Sequence, residues 1–170
     1  MSQHRTLLSF DYGKKRIGIA VGHELTASSS PLATIYTIAN KPDWTALTKH
    51  INDWQPGALV VGIPFNMDGS EHEMTRSARS FARLLEGRYH MPVYTVDERL
   101  SSLEAERTLN EAGKKPRGLK QRKEMIDRMA AQLILDTYFS QHVPSPQPSP
   151  TEREGGNKEK IPSPRMRGEG

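Results

Sequence analysis

The stretch TLLSFDYGKKRIGIAV, residues 6–21, decides the fold of this 170-residue chain. Residues 6–11 (TLLSFD) predict a strand that ends in a carboxylate, and residues 17–21 (IGIAV) predict a second strand. Gly13 lies in the short basic turn between them. Because the two strands are so close in sequence, we expect an antiparallel hairpin with Asp11 near its turn.

The pattern continues outward as alternating strands and helices. Further strands are predicted at 32–38, 58–63 and 92–98, and the continuously apolar 58–63 is typical of a strand buried on both faces. Helices are predicted by apolar side chains at helical spacing, with a short one at about 101–112; the marking residues are Trp44, Leu47, Ile51 and Trp54 (with Pro42 in the first turn), Met74, Ala78, Phe81 and Leu85, and Met125, Ile126, Met129, Ala130, Leu133, Ile134, Thr137 and Tyr138. The order β-β-β-α-β-α-β-α-α predicts an α/β fold, with a mixed five-stranded sheet flanked by helices on both faces.

Composition divides the chain near residue 142. Residues 143–170 hold six of the twelve prolines and three apolar side chains, too few to offset the chain entropy of folding. We therefore expect one domain at 1–142 and a disordered tail at 143–170. The absence of cysteine excludes a disulfide scaffold, a thiol nucleophile and a zinc–thiolate site.

Charge and hydropathy restrict the setting in which the protein works. We find neither an apolar run long enough to span a membrane nor a signal peptide at the polar start, so we expect a cytoplasmic protein without membrane association. The formal net charge of +4 mildly favours an anionic partner.

Acidic residues fall where a parallel sheet places its chemistry. Asp11 ends the first predicted strand, Asp97 and Glu98 end the fifth, and Asp127 lies early in the last helix. Side chains alternate along a strand, so only one of Asp97 and Glu98 is expected to join Asp11. Three carboxylates in one cleft repel one another unless cations lie between them, and paired Mg²⁺ ions serve phosphoryl displacement. The alternative is that these acids are helix caps and solvated strand ends.

Four stretches in this order resemble the YqgF/RuvX family of pre-16S rRNA nucleases: DYGKKRIGIAVG (11–22), VVGIPFNMDGS (60–70), DERLSSLEAE (97–106) and IDRMAAQLIL (126–135). The resemblance covers residues 5–140. It implies an RNase H-like fold akin to the RuvC Holliday junction resolvases. It also implies a bacterial endonuclease that trims the 5′ end of the 16S rRNA precursor. By this resemblance the acidic triad is Asp11, Glu98 and Asp127, which would hold two Mg²⁺ or Mn²⁺ ions, with Asp11 bridging both.

Basic and polar residues near these acids are candidates for binding the substrate. Lys14, Lys15 and Arg16 lie beside Asp11, where the scissile phosphate would sit. Asn66, in the loop after the fourth strand, could reach the substrate, whereas Asp68-Gly69 is expected to form a turn. Arg99 could orient the phosphate or hold Asp97 in place. Segment 114–123 has six basic residues in ten and predicts either RNA backbone contacts or a solvated loop; its candidate contacts are Lys114, Lys115, Lys120 and Lys123.

Competing functions remain open. The same chemistry on branched DNA would make the chain a junction resolvase, which needs a symmetric dimer to cut both strands. A nucleotide-dependent enzyme is suggested by Asp11, Gly13 and Gly18, which resemble a phosphate motif of the actin and Hsp70 superfamily, but one domain lacks the second half of such a site. A non-catalytic RNA-binding or transcription factor would gain nothing from acids beside phosphates. We therefore expect a phosphodiesterase acting on pre-16S rRNA, with ribosomal particles as a further potential partner.

Overall fold

A computed structural model describes residues 4–98, 107–108, 110–111 and 118–142. Within these ranges the chain forms one mixed sheet and three long helices. The elements, in chain order, are β1 Thr6–Tyr12, β2 Arg16–His23, β3 Ser28–Ile38, β4 Lys41–Pro42, α1 Trp44–Trp54, β5 Ala58–Ile63, α2 Glu73–Tyr89, β6 Val93–Asp97 and α3 Leu119–His142.

The sheet has the strand order β4-β3-β2-β1-β5-β6. The pairs β1–β2, β2–β3 and β3–β4 are antiparallel, whereas β5 pairs parallel with both β1 and β6. The predicted hairpin and the mixed α/β architecture are therefore confirmed. Because β1 and β6 flank β5 in parallel, their carboxyl ends meet at the same edge of the sheet.

The prediction of five strands was wrong by one. Lys41 and Pro42 pair with Ile38 and Thr37 as a two-residue strand, so the described sheet has six strands. Pro42 consequently lies in β4 and not in the first turn of a helix. The helix begins one residue after Asp43, whose carboxylate caps it by accepting a hydrogen bond from the backbone N–H of Ala46 at 3.2 Å.

Helices cover both faces of the sheet, as predicted. On one face α1 and α2 pack against β1, β2 and β5, where Phe81 makes an edge contact with Phe10 and Trp44 stacks on Phe81. Trp54, the last of the apolar side chains that predicted α1, is exposed. On the other face α3 packs against β1, β2, β5 and β6, and its buried side chains differ in part from the predicted stripe; they are Ala130, Ala131, Ile134, Leu135, Tyr138 and Phe139.

Small residues on β2 let the α3 backbone approach the sheet closely. A Cβ on Gly18 would lie 2.0 Å from the carbonyl oxygen of Asp127, and one on Gly22 would lie 3.0 Å from Cδ1 of Leu135. Next to them, the Ser9 hydroxyl on β1 donates a hydrogen bond of 2.6 Å to the carbonyl of Ala131. The glycine at position 18 thus decides how near Asp127 comes to the end of β1.

Some predicted features lie outside the described residues. They are Arg99, Lys114, Lys115, the tail at 143–170 and most of the predicted helix at 101–112, of which residues 107–108 and 110–111 are described and are helical. In the part of the chain that is described, no helix combines the length and the apolar character needed to cross a membrane.

Candidate active site

Asp11 and Glu98 meet across the end of β5. Asp11 is the last but one residue of β1, and Glu98 follows β6, where its N–H donates to the carbonyl of Ile63 at 3.1 Å. Their carboxyl groups share a hydrogen bond. The intervening β5 position is Gly62, where a Cβ would lie 2.6 Å from Oε2 of Glu98. The missing side chain at position 62 is therefore what allows Glu98 to reach Asp11.

Burial dominates the electrostatics of this carboxyl pair. It raises the pKa of Asp11 to about 7, against the lowering effect of the hydrogen bond with Glu98. Burial and the negative charge of Asp11 raise the pKa of Glu98 as well. Oε2 of Glu98 is buried and has no hydrogen-bond partner among the described residues. A buried oxygen without a hydrogen-bond partner destabilises the folded protein by about 1–3 kcal/mol. The carboxyl pair therefore binds a proton or a cation more readily than exposed carboxylates do.

Asp127 lies on the same face of the sheet but is held by a different partner. Nε of Arg16, at the start of β2, donates to Oδ2 of Asp127 at 2.7 Å. Burial raises the pKa of Asp127, and the hydrogen bond from Arg16 opposes that rise. The Asp127 charge in turn raises the pKa of Asp11, so the two groups lie near enough to interact. Within the described residues, no three acidic, histidine or cysteine side chains are arranged to hold a metal ion.

The three basic residues of the β1–β2 turn have different environments. Arg16 binds Asp127, as above. Lys14 instead forms an exposed ion pair of 2.7 Å with Glu73, at the start of α2. The Lys15 side chain is exposed, and its carbonyl accepts a hydrogen bond from the N–H of Thr37 on β3. Of the three, Arg16 is the one whose side chain the structure places against the acidic residues.

The loop after β5 is fixed by its own hydrogen bonds. Asn66 donates from Nδ2 to the hydroxyl of Ser70 at 2.9 Å, and the N–H of Ser70 donates to Oδ1 of Asp68 at 2.8 Å. Gly69 has a φ of 90°, which confirms the predicted turn. Asn66 is exposed at the same edge of the sheet as Asp11, and its side-chain amide already bonds within the loop.

A basic groove adjoins Asp127. It has a volume of about 400 Å³ and is lined by Arg16, Tyr36, Leu119, Lys120 and Lys123. Two of the four predicted lysines of segment 114–123 thus line the same groove as Arg16. The sequence reasoning missed Tyr36, although its position on β3, two residues after Thr34, places it on the α3 face. The hydroxyl of Thr34 donates to the carbonyl of Glu124 in α3 at 2.8 Å.

A family model described as "Holliday junction resolvase" under the name RuvX matches residues 5–141. The chain belongs to the RuvX family. Relatives named "Putative pre-16S rRNA nuclease" include one from Dechloromonas aromatica, 47% identical over 85% of this chain and 98% of the relative. Another, from Shewanella oneidensis, is 43% identical over 81% of this chain and 96% of the relative.

Solved structures also resemble this chain. Thermus thermophilus RuvC in complex with a Holliday junction substrate is 14% identical, with a TM-score of 0.48 over 82% of this chain and 97% of that one. The fowlpox virus resolvase in complex with Holliday junction DNA is 9% identical, with a TM-score of 0.46 over 82% of this chain and 99% of that one.

Family membership confirms that the chain is an enzyme of a nuclease family that hydrolyses phosphodiester bonds. The description of the family and the names of the relatives point to different nucleic acids, namely a DNA junction and an rRNA precursor.

Proposed function

We propose that this protein is a metal-dependent endonuclease that processes the 5′ end of pre-16S rRNA, with Asp11, Glu98 and Asp127 as its catalytic acids. The observation that carries the proposal is the half-buried Asp11–Glu98 pair, in which Oε2 of Glu98 is buried without a described partner and Asp11 is near enough to Asp127 to feel its charge. Ionising both carboxyl groups at this partly buried strand end is costly unless a cation joins them, so without a cation they share a proton. The names of the relatives support rRNA as the substrate.

The donor set suits a hard divalent cation. All the candidate ligands are carboxylate oxygens, which Mg²⁺ and Mn²⁺ prefer. Among them, Oε2 of Glu98 accepts no hydrogen bond from the described residues and is therefore available to a cation. Asp11 and Glu98 would hold the metal, and Asp127 would join them once its oxygen leaves Arg16. When bound, a pair of such ions stabilises the charge on the attacking and leaving oxygens of an in-line displacement at phosphorus.

The surrounding cations would bind and orient the RNA. Arg16 can donate two parallel hydrogen bonds to a phosphate, which makes it the strongest candidate for the group next to the scissile bond. Lys120 and Lys123 line the groove that leads away from it. The remaining candidates are peripheral or known from sequence alone; they are Lys14, Lys15, Asn66, Arg99, Lys114 and Lys115.

A resolvase acting on branched DNA is the second candidate, favoured by the description of the matching family model. Both functions use the same acids, so mutation of the acids cannot distinguish them. The two functions are distinguished by the nucleic acid that is cleaved and by the number of protein chains bound to it, because a resolvase cuts two strands related by symmetry.

The test compares both substrates with purified protein. A 5′-labelled pre-16S rRNA fragment, free or in precursor particles, and a four-way DNA junction are each incubated with Mg²⁺, with Mn²⁺ or with chelator. We expect cleavage of the RNA that requires metal and falls by at least about 10²-fold in Asp11→Asn, Glu98→Gln and Asp127→Asn. Asp97→Asn is the matched control, because Asp97 is exposed and its side chain points to the opposite face from Glu98.

Three results would contradict the proposal. Cleavage that persists in chelator would exclude the metal mechanism. Symmetric cutting of the junction with intact RNA would favour the resolvase. Loss of cleavage in Asp97→Asn with normal cleavage in Glu98→Gln would move the site to the other face of β6.

A further inference from the structure

Tyr36 is coupled directly to the candidate active site. It is the cross-strand partner of Arg16 in the β2–β3 ladder, and Arg16 binds Asp127 at 2.7 Å. Directly opposed residues have Cβ atoms about 4.5–5.5 Å apart on the same face of a sheet. Tyr36 therefore lies one side chain away from the acid that the proposed function places in catalysis.

The side chain of Tyr36 is held in place, and yet the residue remains 42% exposed. Its hydroxyl donates a hydrogen bond to a carboxylate oxygen of Glu124, and Nζ of Lys120 lies 5.3 Å from the ring centroid. Leu119, which lines the same groove, is 66% exposed. The groove thus exposes an aromatic and an aliphatic side chain to solvent, next to the cations of Arg16, Lys120 and Lys123.

A positively charged groove with an exposed aromatic side chain is typical of proteins that bind unpaired nucleic acid. Cations bind the phosphates, while an exposed aromatic face accepts a base, whose own faces are free only when it is not stacked within a duplex. A groove of about 400 Å³ is a small-ligand volume, and a duplex could only lie across its rim. The ammonium of Lys120 makes a weak exposed cation–π contact that a base can displace, after which the ammonium is free to pair with a phosphate.

We propose that the groove binds an unpaired strand, with one base stacked on Tyr36 and neighbouring phosphates on Lys120 and Lys123. This inference rests on the proposed function and adds a requirement to it: the nucleotides on the α3 side of the cleaved bond are single-stranded. The protein therefore selects its substrate by the absence of base pairing at that position, through a side chain that is not itself catalytic.

The test measures binding of the full chain in chelator, so that cleavage does not enter. The probes are a single-stranded RNA carrying 2-aminopurine, a blunt RNA duplex and a four-way DNA junction. Tyr36→Leu should weaken single-strand binding about five- to tenfold and change duplex and junction binding by less than about twofold. Tyr36→Phe keeps the ring and should bind the single strand nearly as the native chain does. Trp54→Leu, which removes an exposed aromatic on α1, is the matched control.

The 2-aminopurine signal reports stacking independently of affinity. Its fluorescence should be quenched by the native chain and by Tyr36→Phe, but not by Tyr36→Leu. Equal losses for single strand and duplex in Tyr36→Leu, no loss at all, or quenching that survives in Tyr36→Leu would each overturn the inference. Cleavage is assayed separately with Asp11→Asn, so failure of the nuclease proposal and failure of the stacking proposal give different results.

Discussion

Arg16 and Asp127 form a short ion pair, with Nε of Arg16 2.7 Å from Oδ2 of Asp127 and side chains 25% and 18% exposed. The pair joins the start of β2 to the helix on the other side of the candidate site. It divides the acids into two groups, because Asp11 and Glu98 bond to each other while Asp127 bonds to a cation. Arg16 thus holds Oδ2, one of the two oxygens that Asp127 could offer to a metal, and binding of phosphate to Arg16 would free that oxygen.

Removal of the Arg16 charge should therefore strengthen metal binding. We expect Arg16→Gln to raise the affinity for Mn²⁺ about three- to tenfold at pH 8, because a neighbouring positive charge that repels the ion and competes for Asp127 is lost. The affinity for RNA in chelator should fall in the same variant. Paramagnetic resonance of free Mn²⁺ measures the first effect and does not depend on cleavage.

Lys14→Gln is the matched control, since it removes a charge from the same turn but from a residue that pairs with Glu73. An unchanged or lower Mn²⁺ affinity in Arg16→Gln would show that Arg16 does not compete with the metal ion for the carboxylate of Asp127.

Local sequence features predicted most of the fold. The β1–β2 hairpin follows from two apolar runs separated by a glycine turn, and the buried β5 from its continuous apolar stretch. The two-residue β4 could not be predicted, because Lys41 and Pro42 have no strand pattern and pair only through contact with β3. Trp54 fits an amphipathic stripe, yet it lies in the last turn of α1, where the helix extends beyond the core.

The sequence predicted that acidic residues at the ends of two strands would lie at one edge of the sheet. The rule that parallel strands end at the same edge predicted Asp11 together with either Asp97 or Glu98, and the choice of Glu98 came from the family resemblance. Their environment was not predictable, because the partners of these residues come from distant parts of the chain. Arg16 and Asp127 are 111 residues apart. Gly62 carries no chemistry of its own, and only the structure shows that Glu98 passes over it.

The metal-free protein should lose stability as the pH rises. Burial raises the pKa of Asp11 from 3.8 to about 7 and raises that of Glu98 from 4.5, so the native state keeps protons that the unfolded chain releases. Stability therefore falls with pH from about pH 4 through the native pKa of Asp11. Asp11→Asn should remove part of this dependence and melt several degrees higher than the native chain at pH 8 in chelator.

At pH 4 the two chains should melt at similar temperatures, since Asp11 is then protonated in the native state. Glu98→Gln should show the same pattern. Thermal melts at several pH values provide the measurement. Equal melting temperatures of the native chain and the two variants at pH 8 would show that ionisation of the pair does not destabilise the fold.

The groove lysines should contribute to binding through the phosphates. Changing Lys120 and Lys123 together to Gln should flatten the log–log salt dependence of single-stranded RNA binding by about 1.4, because each lost contact contributes about 0.7. The matched double control changes the exposed Lys41 and Lys49, on β4 and α1, to Gln. Fluorescence anisotropy over a range of salt concentrations gives both slopes. Equal slopes for the groove variant and the control would exclude the groove from the RNA path.

Gly62→Ala should separate the structural from the chemical role of this position. A Cβ there would lie 2.4 Å from Cδ1 of Ile134 and 2.6 Å from Oε2 of Glu98. Overpacking of this kind typically costs about 1–3 kcal/mol, and it should also push Glu98 away from Asp11. Adding Ile134→Val removes the Cδ1 contact but leaves the contacts with Cγ1 of residue 134, at 2.8 Å, and with Glu98. The double variant should therefore recover part of the stability lost in Gly62→Ala, while its metal affinity and cleavage stay low.

Gly87→Ala is the matched control, because a Cβ at position 87 in α2 meets no heavy atom within 4 Å. It should leave cleavage unchanged and raise stability by about 0.5–1 kcal/mol, since alanine favours a helix more than glycine does. Thermal melts and Mn²⁺ titrations on the four chains give the comparison. If Ile134→Val restored metal affinity and cleavage together with stability, Gly62 would be required only for helix packing, and the passage of Glu98 over β5 would carry no catalytic consequence.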